Sequence, residues 1–169
     1  MKKLLILTAT ALLAMSTALG ASPDKAAELL KGLEGFRPSV YKCEAGKPTI
    51  GYGFTSKAMV GRGRMTEAEA SAELSRICGR IRARLRAELG KGNRLSPNEE
   101  AAVVSFIYNV GWANFRGSTM CRLLKQGRRG AAVAAEFRRW VYVTKGGRKT
   151  ASRGLRNRRA KEAAVFLRG

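Results

Sequence analysis

Glu34-Gly35, Tyr41-Lys42-Cys43 and Gly46-Lys47-Pro48-Thr49-Ile50-Gly51-Tyr52-Gly53 form the stretch of this chain whose reading decides its fold. Just upstream, Ala26, Leu29, Leu30 and Leu33 recur at helical spacing behind Ser22-Pro23, read as an N-cap with proline at the first helical position. Gly35 ends that helix and leaves Glu34 on its last turn. From Val40 to Thr55 the texture turns to Tyr, Thr, Ile and Phe broken by Gly46, Gly51 and Gly53. That is the pattern of a small β-hairpin with Gly46 in its turn. A helix end facing a hairpin makes a cleft wall, and this one carries an acid, a thiol and a hydroxyl in Glu34, Cys43 and Thr49. Unlike polar groups converging on one cleft point to an enzyme.

Downstream the chain reads as helical. After the Gly61-Arg62-Gly63-Arg64 loop, Thr66 and Glu69 make a capping box for a helix with Leu74, Ile77, Cys78, Ile81 and Leu85 on one face. Ser96-Pro97-Asn98-Glu99 is a second capping box, and the helix it opens is apolar nearly all round from Ala101 to Val110. This is expected to be the central buried helix, stopped by Gly111. Further helices are expected at Ser118 to Gln126, Ala131 to Tyr142 and Leu155 to Leu167, the middle one anchored by Val133, Phe137 and Trp140.

Outward from this core lies an N-terminal segment of different character. Lys2 and Lys3 precede an uncharged run from Leu4 to Leu19 and then small residues, so residues 1–21 read as an export segment. Ala18 and Gly20 suit a signal peptidase site, yet the run is also near the lower length limit for a membrane span, roughly 17 residues. Cleavage and a transient inner-membrane tether both stay open, and residues 22–169 are expected to form one domain on the far side of that membrane.

The chain carries a net charge of +21, or +19 once Lys2 and Lys3 are set aside. Such a balance attracts anionic lipid, acidic wall polymers or nucleic acid, and export removes nucleic acid from that set. There is no histidine, which excludes histidine acid–base catalysis and histidine-containing metal sites. Cys43, Cys78 and Cys121 fit no zinc pattern, and their odd number leaves at least one thiol outside any disulfide within the chain. Cys78 and Cys121 sit in apolar helical stripes and read as small buried hydrophobes, although a bond between them is also open. No metal or organic cofactor is expected, and chemistry falls to carboxylates, thiols and hydroxyls.

Glu34 stands at the negative end of its helix macrodipole, where ionisation is disfavoured. A carboxylic acid kept protonated is what glycoside cleavage requires of a general acid. A glutamate at a helix end is ordinarily just solvated, so the hairpin beyond it carries the argument. Glu34-Gly35, Tyr41 and Thr49-Ile50-Gly51 together resemble the phage lysozyme family, glycoside hydrolase family 24, in which a Glu is followed nine residues on by an Asp and six further on by a Thr. The spacing fits here at both steps, but Cys43 stands where the family has Asp. The resemblance continues through Ser105 to Gly111, Asn114 to Thr119, Arg139 to Tyr142, Gly154-Leu155, Arg158-Arg159 and Glu162. An export segment just before the Glu is similar to the signal-anchor-release endolysins of that family.

The resemblance implies an α+β, mainly α fold, with a small hairpin lobe, a larger helical lobe and a cleft between them. It implies a muramidase that hydrolyses the β-1,4 bond between N-acetylmuramic acid and N-acetylglucosamine in peptidoglycan strands, acting as a monomer in host lysis. Glu34 would protonate the leaving oxygen, and Thr49 would position water. Cys43 has three readings: a thiolate acting as base or nucleophile, a structural filler, or a redox latch to Cys78 or Cys121. Glu44 is an alternative carboxylate, although strand alternation turns it away from Cys43. Tyr108 matches an aromatic that lines the family's cleft, core packing being its other reading. Arg122 to Arg129 and Arg148 to Arg159 read as solvated faces that draw anionic envelope polymers. Two rival functions remain: a lytic transglycosylase on the same bond, which also needs only one Glu, and a cationic protein that disorders anionic membranes with a degenerate site.

Overall fold

The Asp24 side chain accepts from the backbone N–H groups of Ala26 (3.0 Å) and Ala27 (3.4 Å) and starts helix α1, Lys25–Glu34. The structure is a computed structural model and describes residues 24–43, 46–145 and 147–169. The expected cap at Ser22-Pro23 lies outside the described residues, as do Met1 to Ala21 and Glu44, and Asp24 takes the capping role instead. Its carboxylate satisfies orphan N–H groups and complements the positive helix end. Gly35, at φ 69°, ends the helix.

Strand β1, Arg37–Lys42, runs antiparallel to β2, Pro48–Gly51, with Tyr41 opposite Thr49 and Lys42 opposite Pro48. Cys43 donates its N–H to the Lys47 carbonyl at 3.0 Å and accepts from the Gly46 N–H at 2.7 Å, which closes the turn. The hairpin is narrower than Val40 to Thr55 at one end and longer at the other. It starts at Arg37 and stops at Gly51, where Ile50 and Phe54 exchange backbone hydrogen bonds of 3.0 and 2.8 Å across a tight reversal. A short helix, α2, Lys57–Val60, follows and was not expected; Ser56 caps it.

Both expected capping boxes are present. Thr66 and Glu69 open α3, Glu67–Leu89, whose 23 residues span roughly 35 Å between the hairpin region and the helical region. Ser96 and Glu99 open α4, Pro97–Val110, with proline in its first turn. From Ala101 to Ile107 every residue of α4 is buried, because α1, α3 and the last helix all pack around it. The all-round apolar sequence of this helix is thus matched by neighbours on every side.

Beyond Gly111 come α5, Trp112–Arg116, α6, Thr119–Lys125, and α7, Ala131–Phe137. The expected helix from Ala131 to Tyr142 is therefore too long. Tyr142 instead begins strand β3, Tyr142–Lys145, which pairs in register with β4, Arg148–Ala151. The physical reason is local: Tyr142-Val143-Thr144 favours extended backbone, and Gly147 takes φ 77° in the turn. Helix α8, Arg153–Phe166, closes the chain, capped by Ser152.

The larger lobe is held by an aromatic cluster. Phe106 meets Phe137 and Trp140 edge-on, each at 5.5 Å between centroids, and Phe137 meets Phe166 at 5.8 Å. Phe106, Phe137 and Leu30 are fully buried, and each contributes about 1.5–3 kcal/mol by leaving water. The fold is mainly α, as expected, with two small antiparallel hairpins among the described residues where one was expected.

Candidate active site

Glu34 reaches the cleft because α1 ends there and Gly35 turns the chain away into β1. Its Oε1 accepts a hydrogen bond from Arg158 Nη1 at 2.6 Å, an ion pair between groups only 19% and 9% exposed. Its Oε2 lies toward Gly53, where an added Cβ would stand 3.2 Å from it. That Cβ would also stand 3.7 Å from the Tyr108 hydroxyl. Tyr108, on α4, donates that hydroxyl to the Tyr52 carbonyl at 2.7 Å. Burial, then the neighbouring Glu34 charge, push the Tyr108 hydroxyl well above the ordinary tyrosine range.

Arg158 was expected on a solvated face, and the structure corrects this. Arg158 and Arg159 are 8% and 1% exposed, because α8 turns both onto α4. Glu162, fully buried between them, makes this tolerable. Its Oε1 accepts from Arg158 Nε at 3.0 Å and from Ser105 Oγ at 2.7 Å, and its Oε2 accepts from Arg159 Nη1. Arg159 also donates to the Trp140 carbonyl and to Asn109 Oδ1, and its guanidinium lies 4.9 Å over the Phe106 ring. Burial lowers the Arg159 pKa from its ordinary value, with Glu162 opposing.

The hairpin carries the other two expected residues. Thr49 is buried, 3% exposed, and donates its hydroxyl to the Lys47 carbonyl at 2.9 Å. Cys43 is half-buried at the turn, level with Lys47. Because Tyr41 is level with Thr49, the two share one face of the hairpin, and Cys43 follows just beyond the end of β1. Tyr41 acts on the Tyr108 hydroxyl electrostatically, as do Glu34 and Arg158. The structure thus brings Glu34 and Tyr108 together beside Gly53, and gathers Cys43 and Thr49 on one hairpin.

Cys78 and Cys121 lie in the interior as buried thiols with no disulfide between them. Burial, then the Asp24 charge, push the Cys78 thiol up to about 12, and burial raises Cys121 too. The residues that sequence reading missed are Arg158, Glu162 and Gly53 in their roles around Glu34. Only the Gly-rich texture of Gly51-Tyr52-Gly53 hinted at a close backbone approach.

The family described as Phage lysozyme matches residues 31–162. An endolysin of Acyrthosiphon pisum secondary endosymbiont phage 1 is 33% identical over 85% of this chain and 95% of its own length. A SAR-endolysin of bacteriophage PS119 is 36% identical over 82% of this chain and 78% of its own. Among solved structures, the endolysin from Escherichia coli O157:H7 phage FAHEc1 superposes with a TM-score of 0.75 at 28% identity, covering 89% of this chain and 95% of that one. With the match running from the helix that carries Glu34 to the buried Glu162, the chain belongs to the phage lysozyme family.

Proposed function

We propose that Glu34 is the acid with which this peptidoglycan hydrolase cleaves the β-1,4 bond after N-acetylmuramic acid, as the family resemblance implies. Arg158 holds Oε1, so the proton is carried on Oε2 beside Gly53 and passes to the glycosidic oxygen as the bond to the anomeric carbon breaks. Thr49 uses its hydrogen on Lys47, leaving lone pairs that accept from the attacking water. Cys43, as a thiolate in the place of the family's Asp, takes the water's proton as its oxygen adds to the anomeric carbon. The observation that carries this reading is the Glu34 carboxylate, tied by Arg158 and facing Gly53 at the start of the cleft.

The test is release of reducing ends from purified peptidoglycan. Glu34→Gln is expected to lower it by at least about 100-fold. A 1,6-anhydro end on the wild-type products would overturn hydrolysis in favour of transglycosylation. Lysis that survives Glu34→Gln, with purified wall untouched by wild type, would favour a membrane-disordering protein.

Residues 1–21 are read as the export segment and residues 22–169 as the catalytic domain. Support comes from Lys2-Lys3 before the uncharged run and from the SAR-endolysin names among the relatives. No helix among the described residues is long and apolar enough to cross a membrane. The protein then acts in the periplasm as a monomer, drawn to anionic envelope polymers by its charge, after cleavage or from a transient tether. Fractionation of expressing cells checks this: the activity is expected in periplasm or inner membrane, and a purely cytoplasmic location overturns it.

A further inference from the structure

A groove of about 830 Å³ runs from Gly53 and Tyr108, beside Glu34, along the flank of α3. One wall is uncharged, formed by Gly53, Phe54, Thr55, Ser56, Ala58 and Met59. The other carries Arg76, Arg80 and Arg84, which the four-residue spacing sets in a row on one face of the helix. Arg76 is committed to Glu73 through two hydrogen bonds of 2.8 and 2.6 Å. Arg80 lies 3.9 Å from the same carboxylate, too far for a hydrogen bond, and is 54% exposed. Arg84 stacks at 4.2 Å over the Trp112 ring, which also lines the groove, so its edge donors stay open. Within the groove lining these three guanidiniums stand with one carboxylate, Glu73, while Glu88 acts on Arg84 from outside it.

The glycan strand does not call for this charge. Its N-acetylated sugars are neutral, and the lactyl carboxyl of each muramic acid is taken up in an amide to the peptide stem. The free carboxylates of the substrate are on the stems. A guanidinium matches a carboxylate with paired donors, and a row held by one rigid helix meets such groups without first being ordered. We infer that Arg80 and Arg84 bind free carboxylates of the peptide stems, so that this groove favours glycan whose stems carry free carboxylates over glycan whose stems are amidated. This rests on the reading of the groove as the cleft for the glycan.

The test compares wild type with Arg80→Gln/Arg84→Gln on two substrates, at low ionic strength. One is peptidoglycan freed of other wall polymers, the other the same material with its free stem carboxylates capped as neutral amides by carbodiimide and methylamine. Both arginines are on the surface, and a melting curve checks the fold of the variant. Removing the pair is expected to lower kcat/KM about tenfold on strands with free stem carboxylates, mainly through KM, with less than about a twofold change on the amide-capped strands. A control pair, Arg122→Gln/Arg138→Gln on exposed faces away from the groove, is expected to change either rate less than about threefold. Equal loss on both substrates, no loss on either, or an equal loss in the control pair overturns the inference while the hydrolase reading stands. Wild type that releases no reducing ends from either substrate overturns the hydrolase reading, and this inference with it.

Discussion

Arg158 Nη1 stands 2.6 Å from Glu34 Oε1 and joins α8 to the end of α1. The pair does not stand alone, because the same guanidinium is held from behind by Glu162 Oε1 at 3.0 Å. Replacing Arg158 by Gln leaves two carboxylates facing one another through a buried gap. The expected loss of stability is about 3–5 kcal/mol, read in a denaturant melt, since breaking a buried pair exposes the uncompensated partner. Arg158→Lys recovers part of it, because one ammonium cannot serve Glu34 and Glu162 at the separate angles a guanidinium does.

Gly53 is where the cleft tolerates no side chain. At φ 92° an alanine is strained by about 1–2 kcal/mol, and its Cβ would press on Glu34 Oε2 at 3.2 Å. Gly53→Ala is expected to cost about that much in a melt, yet to lower the release of reducing ends by more than about tenfold. An activity loss no larger than the stability loss explains would count against Glu34 Oε2 as the working oxygen.

Much of this arrangement is legible in the sequence where it is local. The two capping boxes, at Thr66/Glu69 and Ser96/Glu99, span three residues and are written in residue identity alone. The same holds for the hairpin, whose Gly46 turn and Tyr, Thr and Ile strands need no distant partner. What escaped depends on tertiary contact. Arg158 and Arg159 sit in an arginine-rich run that reads as solvated, and only the packing of α8 on α4 buries them. The second hairpin was hidden because Phe137 and Trp140 continue a helical spacing into Tyr142, and a strand of four residues is too short to break it.

Stability is expected to fall in alkali, and Cys78 is one reason. Its thiol, raised by burial to about 12, keeps its proton in the folded chain, while the unfolded chain loses it near ~8.5. Between those values the folded state binds more protons, so stability declines as pH rises. Below about pH 8 the contribution is fully present; it is lost as pH passes about 12. Cys121, Tyr52 and Tyr108 are shifted the same way and add to the decline. Melting curves from pH 8 to 11 should show a falling midpoint, and Cys78→Ala should flatten the fall by up to a few kcal/mol while costing about 1 kcal/mol at neutral pH.

On the proposed mechanism Cys43 activates the water, and substitutions at this position separate the readings of it. If its thiolate takes the proton, the rate must rise with pH as the thiol ionises, ordinarily near ~8.5. Cys43→Asp is then expected to keep activity within about tenfold and to move that limb down toward the carboxylate range, near ~4. Cys43→Ser, which preserves size but does not ionise, should fall by about 100-fold at every pH. The measurement is reducing-end release from pH 4 to 9 for the three proteins, with melts to confirm folding. Full activity in the serine variant would reduce Cys43 to a filler and leave Glu34 and Thr49 to do the chemistry. A rate that changes on adding reductant would instead favour a redox latch, although its suggested partners Cys78 and Cys121 are 0% and 1% exposed, so closing it would require the core to open.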